Sequence, residues 1–215
     1  MSAACCGHHD NEPQTQMNSA YRRVLWAVLV INASMFAVEI GAGLHADSAS
    51  LQADALDFLG DAANYGSSLF VVGMSLRYRA GAALAKGATM GVFGFWILTV
   101  AVWHLYSGTR PEAVTMGAVG IAALAANAVS FGLLWAYRGG DANMRSAWIC
   151  TRNDVLGNLA VLLAAVGVFG TGTGWPDIVV AVVMACLAIQ GAWLVVGHAV
   201  SELTLGNSRH APVGG

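Results

Sequence analysis

Long apolar runs, separated by short polar or basic stretches, dominate the pattern of hydrophobic and polar positions along this chain. Six of these runs are long enough to cross a bilayer as helices. The pattern therefore predicts an all-α integral membrane protein with six transmembrane helices. Their approximate bounds are Val24–Leu44, Ser50–Leu76, Leu84–Tyr106, Ala113–Tyr137, Ser146–Gly170 and Trp175–Ala199.

The composition agrees with this class. Of the 215 residues 57% are hydrophobic and only 10% are charged, whereas an average soluble domain has about 25% charged residues. The net charge of -2 provides no broad basic surface, so nucleic acid is not an expected partner. The N-terminal stretch has no basic residue before Arg22 and no apolar centre, so it does not resemble a cleavable signal.

The distribution of basic residues indicates the orientation in the membrane. One side carries nearly all of them, and Arg110 alone lies in a loop on the other side. Because cytoplasmic loops are enriched in Lys and Arg, we expect both termini to be cytoplasmic. The residues assigned to the cytoplasmic side are Arg22, Arg23, Arg77, Arg79, Lys86, Arg138, Arg145 and Arg209.

We divide the chain into three parts. Residues 1–21 are expected to form a flexible cytoplasmic tail, residues 22–200 the six-helix transport domain, and residues 201–215 a short C-terminal tail with no soluble C-terminal domain. The N-terminal tail contains CCGHHD, whose Cys5, Cys6, His8 and His9 are donors that soft metals prefer. Its spacing matches no closed zinc finger, and a polar tail without metal is the alternative.

The second predicted span contains three carboxylates in an otherwise apolar helix. Asp54, Asp57 and Asp61 are three and four residues apart, so their side chains project from one helix face. Each acid at bilayer depth costs about 2.5–3.5 kcal/mol on the insertion scale. A divalent cation or protons must therefore compensate these acids.

The fifth predicted span supplies a second pair of donors. Cys150 and Asp154 are four residues apart, as are Asp57 and Asp61, so each helix offers two donors at one level. Together the two pairs give three carboxylates and one thiolate, the number and type of ligands that a tetrahedral zinc site uses. Thiolate favours zinc or cadmium over harder ions. The alternative for Cys150 is a small packed side chain.

Other polar residues extend these helix faces and are accessory candidates. Asp54 is a third ligand, a proton carrier or an outer group, and Glu39 in the first span flanks the path. The asparagines either orient the acids or hydrogen-bond between helices. They are Asn64, Asn153 and Asn158.

At these residues the chain resembles the cation diffusion facilitators, a family of six-helix transporters of divalent metals. The match runs through N-x6-E-x3-G from Asn32, S-x2-L-x2-D-A-x-D-x3-D from Ser48, and Cys150-x3-Asp154-x3-Asn158. In that family the second and fifth helices each supply His or Asp followed four residues later by Asp. Asp57, Asp61 and Asp154 match this motif, whereas Cys150 occupies a position that His or Asp usually holds.

The resemblance implies a homodimer in the inner (cytoplasmic) membrane that exports metal in exchange for protons by alternating access. Zinc or cadmium is then the transported substrate, and no resident cofactor is expected. Most members also carry a cytoplasmic metal-binding C-terminal domain that aids dimerisation. No such domain is expected here, so dimerisation is expected through the membrane helices.

Two other functions start from the same acids. Membrane-embedded lipid phosphotransferases also hold cations on clustered aspartates, but the second span has no Asp-Gly or Ala-Arg and no basic group near it to hold a phosphate. A passive channel or a membrane metal sensor is the other alternative. A narrow site with four anionic ligands that binds and then releases metal fits a carrier better than a pore.

Overall fold

The computed structural model describes residues 19–70, 74–137 and 142–208, and its side-chain description of the fifth helix begins at Asp154. The described residues form six α-helices and no β-strand, so the predicted all-α class is confirmed. The helices are α1 (Ser19–His45), α2 (Ala49–Phe70), α3 (Leu76–Ser107), α4 (Ala113–Trp135), α5 (Ala142–Thr171) and α6 (Trp175–Ser208).

The helices pack as a group of four and a pair. In the group of four, α1 contacts α2 and α4, and α5 also contacts both of these helices. The pair is α3 with α6, which make the most extensive contact between any two helices. Two helices join the group to the pair, since α2 contacts both α3 and α6, and α5 contacts α6.

The central position of α2 explains how its acids are accommodated. Fourteen of its 22 residues are buried, compared with six of 27 in α1. The other five helices contain segments long and apolar enough to cross a membrane, and α2 is the more polar exception. Its aspartates therefore face neighbouring helices instead of lipid, where charged groups are costly.

The predicted boundaries are wrong between the second and third helices. α2 ends at Phe70 instead of Leu76, and α3 begins at Leu76 instead of Leu84. Ser75, which precedes α3, has an extended backbone. Arg77 and Arg79 were expected in a loop because charged residues are rare in apolar spans, but they lie in the first turn of α3.

The buried start of α2 is fixed by a serine and by an acid from α6. Ser48 precedes the helix, and its Oγ accepts a hydrogen bond from the Leu51 amide at 3.1 Å. The carboxylate of Asp177 accepts hydrogen bonds from the Ala49 amide at 2.9 Å and the Ser50 amide at 3.1 Å. It also accepts from the hydroxyls of Ser48 at 2.7 Å and Ser50 at 2.6 Å. The first three amides of α2, which no helix can satisfy internally, thus all have acceptors.

The outer surface of the bundle is apolar. Large hydrophobic side chains are exposed on several helices, including Val92, Phe95, Trp103, Phe169 and Trp193. A soluble protein rarely exposes so many large apolar groups, and in a membrane they contact lipid.

Candidate metal site

The three aspartates of α2 lie on the side of the helix that approaches α5. Asp54 and Asp57 each place a carboxylate oxygen within 4 Å of the point where a Cβ at Gly157 of α5 would lie, at 3.9 and 3.5 Å. Asp57 also interacts electrostatically with Asp61. Asp54 and Asp61 are buried, whereas Asp57 is half-buried. A Cβ at Gly157 would make ordinary van der Waals contact with both acids, so this part of α5 packs directly against them.

Asp61 and Asp154 meet across the interface between α2 and α5. Their carboxyl groups lie close enough to interact, and they are only 6% and 7% exposed. The hydroxyl of Tyr65, one turn further along α2, donates to Asp61 Oδ2 at 3.1 Å. Two carboxylates in contact repel each other unless a proton or a cation lies between them. This pair is therefore the part of the predicted site to which α2 and α5 each contribute a carboxyl group.

A second group of polar side chains lies next to the first. The amide of Asn158 donates to Asp54 Oδ1 at 3.3 Å and to the backbone oxygen of Asp154 at 3.0 Å. Glu39 of α1 also interacts with Asp54. Asn158 thus contacts an acid directly, which is the orienting role that the sequence analysis considered.

Lys86 of α3 is a residue near the site that the sequence analysis missed. Its ammonium group donates a hydrogen bond to Asn64 Oδ1 and interacts electrostatically with Asp61. The expectation that no basic group lies near the second helix is therefore wrong. The error follows from the late predicted start of the third helix, which left Lys86 beside a loop. Asn64 accordingly bonds between α2 and α3.

Several predicted site residues fall outside the described part of the chain. These are the side chains of Cys150 and Asn153, and the tail residues Cys5, Cys6, His8 and His9. Among the side chains that are described, no three His, Cys, Asp or Glu residues form a group that could hold a metal ion. The binding of one metal by Asp57, Asp61, Cys150 and Asp154 together therefore remains a prediction.

Comparison with known proteins establishes the class of protein. Residues 25–204 match the family model described as the cation efflux transmembrane domain. The chain therefore belongs to this family, and the resemblance to cation diffusion facilitators is confirmed. Members are transporters, so the family supports transport rather than the phosphotransferase activity considered above.

Individual relatives are similar over most of this chain. It is 28% identical to the zinc transporter ZitB of Pectobacterium atrosepticum, over 94% of this chain and 67% of the relative. It is 23% identical to the metal cation efflux system protein CzcD of Cupriavidus metallidurans, over 93% and 66%. A cadmium, cobalt and zinc/H(+)-K(+) antiporter of Bacillus subtilis is 22% identical over 96% and 69%. The chain thus spans about two thirds of the length of these relatives.

Proposed function

We propose that this protein exports zinc, and cadmium with it, from the cytoplasm in exchange for protons by alternating access. The observation that carries the proposal is the contact of Asp61 on α2 with Asp154 on α5, deep within a bundle of membrane-spanning helices. The names of the relatives, which include zinc transporters and a cadmium, cobalt and zinc antiporter, support the choice of metal.

The proposed metal ligands are Asp57, Asp61, Cys150 and Asp154. Asp57 lies one turn from Asp61 and faces the same helix, and its partial exposure gives an ion a route to the buried pair. Cys150 lies one turn before Asp154 in α5. Three carboxylates and one thiolate neutralise a divalent cation and leave a net negative charge on the site.

Proton exchange follows from the chemistry of the ligands. When metal leaves, the contact between Asp61 and Asp154 is stable only with a proton or another cation between them. When metal binds, these protons must leave, so metal binding and proton release are linked. We propose that both termini lie on the cytoplasmic side of the inner membrane, which the distribution of basic residues supports. We also propose a homodimer that forms through the transmembrane helices.

We propose that Cys150 sets the metal preference, because thiolate favours zinc and cadmium over harder ions. Replacing it in Cys150→Asp gives an all-oxygen set of ligands. We expect the ratio of zinc to manganese transport to fall in this variant. An unchanged ratio would show that Cys150 only packs against its neighbours.

The proposed exchange is tested by zinc-driven proton flux in proteoliposomes. We expect saturable, zinc-dependent flux in the wild type and none in Asp57→Ala. The control is Glu112→Gln, which changes an exposed acid before α4 and away from the site. A folded wild-type protein without zinc-dependent flux, or an Asp57→Ala variant with wild-type flux, would contradict the proposal.

A further inference from the structure

Two buried acids lie beside the proposed ligands and have no role in binding metal there. Glu39 of α1 and Asp54 of α2 are both 0% exposed, and they interact with each other. Within the part of the chain that the structure describes, both Glu39 oxygens and Asp54 Oδ2 lack a hydrogen-bond donor. Buried polar atoms are rarely left without a partner, so these oxygens are expected to share a proton or to bind a cation.

Among the side chains that the structure describes, no basic group compensates the pair. Lys86 bonds to Asn64 and interacts with Asp61, and the interactions that act on Glu39 and Asp54 come from other acids. Two like charges that are buried without a counter-charge are strongly unfavourable. Either a cation or a proton must therefore be present between Glu39 and Asp54.

A third side chain points to a cation. Asn158 of α5 is 0% exposed and its amide nitrogen donates to Asp54, whereas its Oδ1 has no partner among the described residues. The oxygen atoms that the three side chains offer to a cation are two from each carboxylate and Oδ1 of the Asn158 amide. Such ligands suit hard divalent cations.

The location relates this group to the transport site. Asp54 precedes Asp57 by three residues, which is about 4.5 Å along the helix. Both acids approach Gly157, where a Cβ would lie 3.9 Å from Asp54 Oδ1 and 3.5 Å from Asp57 Oδ2. The same point on α5 is thus in van der Waals range of both carboxylates. In the proposed orientation Asp54 lies on the outer side of Asp57.

We propose that Glu39, Asp54 and Asn158 form a second, all-oxygen site for a divalent cation, which receives the metal as it leaves the transport site towards the outside. This inference rests on the proposed function for the direction of movement. An oxygen-only site holds zinc less tightly than a site with a thiolate. A metal that moves past Gly157 therefore enters a site from which it is released more readily.

The test uses Mn²⁺ as a hard divalent probe and electron paramagnetic resonance of the full chain in nanodiscs. The background variant Asp61→Asn/Cys150→Ser/Asp154→Asn removes three of the four proposed ligands of the transport site. We expect this background to retain one bound Mn²⁺ per chain. Adding Glu39→Gln is expected to weaken Mn²⁺ binding at least tenfold, whereas adding Glu112→Gln should change it by less than twofold.

Two results would overturn the proposal. One is the absence of bound Mn²⁺ in a background variant that is folded by circular dichroism and size-exclusion chromatography. The other is Mn²⁺ binding that Glu39→Gln does not change. The first result means that a proton alone compensates the pair, and the second means that Mn²⁺ binds without Glu39. If Glu39→Gln does not fold, Asn158→Ser removes the amide oxygen and serves the same purpose.

The proposed function is tested separately by zinc binding to the wild-type protein. If the wild-type protein does not bind zinc tightly but the background variant still binds Mn²⁺, the transport site is contradicted and the second site is not. Tight zinc binding in the wild type without Mn²⁺ in the background variant would contradict the second site alone.

Discussion

Replacing Asp177 with alanine is predicted to destabilise the whole bundle, because one carboxylate satisfies four donors at the start of α2. These donors are the amides of Ala49 and Ser50 and the hydroxyls of Ser48 and Ser50. The acid is 0% exposed, so water cannot replace it at the surface. In Asp177→Ala all four donors lose their acceptor.

The magnitude follows from how many donors can find another partner. Each buried donor left unsatisfied costs about 1–3 kcal/mol. The hydroxyls can rotate towards other acceptors, whereas the two amides are fixed in the first turn of the helix. We therefore expect Asp177→Ala to lower the free energy of unfolding by about 3–5 kcal/mol, the range observed when one partner of a buried charged contact is removed.

Thermal unfolding in detergent, followed by circular dichroism, measures this effect. For a domain of about 200 residues, 3–5 kcal/mol lowers the Tm by about 6–20 °C. The matched control is Asp47→Asn, in the connection between α1 and α2 that Asp177 contacts through Ser48. Asp47 is exposed, and asparagine tolerates its φ of 50°. A Tm for Asp177→Ala within 2 °C of the wild type would show that the Asp177 carboxylate does not stabilise the start of α2.

Two further predictions concern residues near the site and near the outer turns. Lys86→Gln removes a positive charge that acts on Asp61, so zinc should bind about 3–10-fold more tightly in a dye competition assay; weaker binding would show that Lys86 supports the site instead. Gly174→Ala places a Cβ against the backbone oxygen of Thr109, whereas Gly170→Ala meets nothing within 4 Å. The first should lower the Tm by several degrees and the second should not, and equal values for the two variants would contradict this packing.

The sequence alone predicted the class, the helices and part of the candidate site. Apolar runs were sufficient to find the spans because backbone groups in lipid must be satisfied within helices. The spacing of Asp57, Asp61 and Asp154 predicted donors on two helix faces, and the structure brings Asp61 and Asp154 into contact. The spacing of residues within one helix determines which side chains share a face, so these faces can be predicted without knowing how the helices pack.

Contacts between distant parts of the chain could not be predicted from the sequence. Asp177 lies 129 residues from Ser48, and only the packing of α6 beside α2 shows that it satisfies the start of that helix. Likewise, the role of Lys86 depends on where α3 begins, which apolar patterning located too late. The pairing of Glu39 with Asp54 requires the packing of α1 against α2, which spacing within one helix does not predict.

The most direct test of the central claim is zinc uptake into proteoliposomes by Asp61→Asn. This variant keeps the size of the side chain but removes a carboxylate that contacts Asp154 and accepts the Tyr65 hydrogen bond. Asp47→Asn makes the same chemical change at an exposed position. We expect no saturable uptake by folded Asp61→Asn and wild-type uptake by Asp47→Asn, whereas wild-type uptake by Asp61→Asn would contradict a role for Asp61 in binding the transported metal.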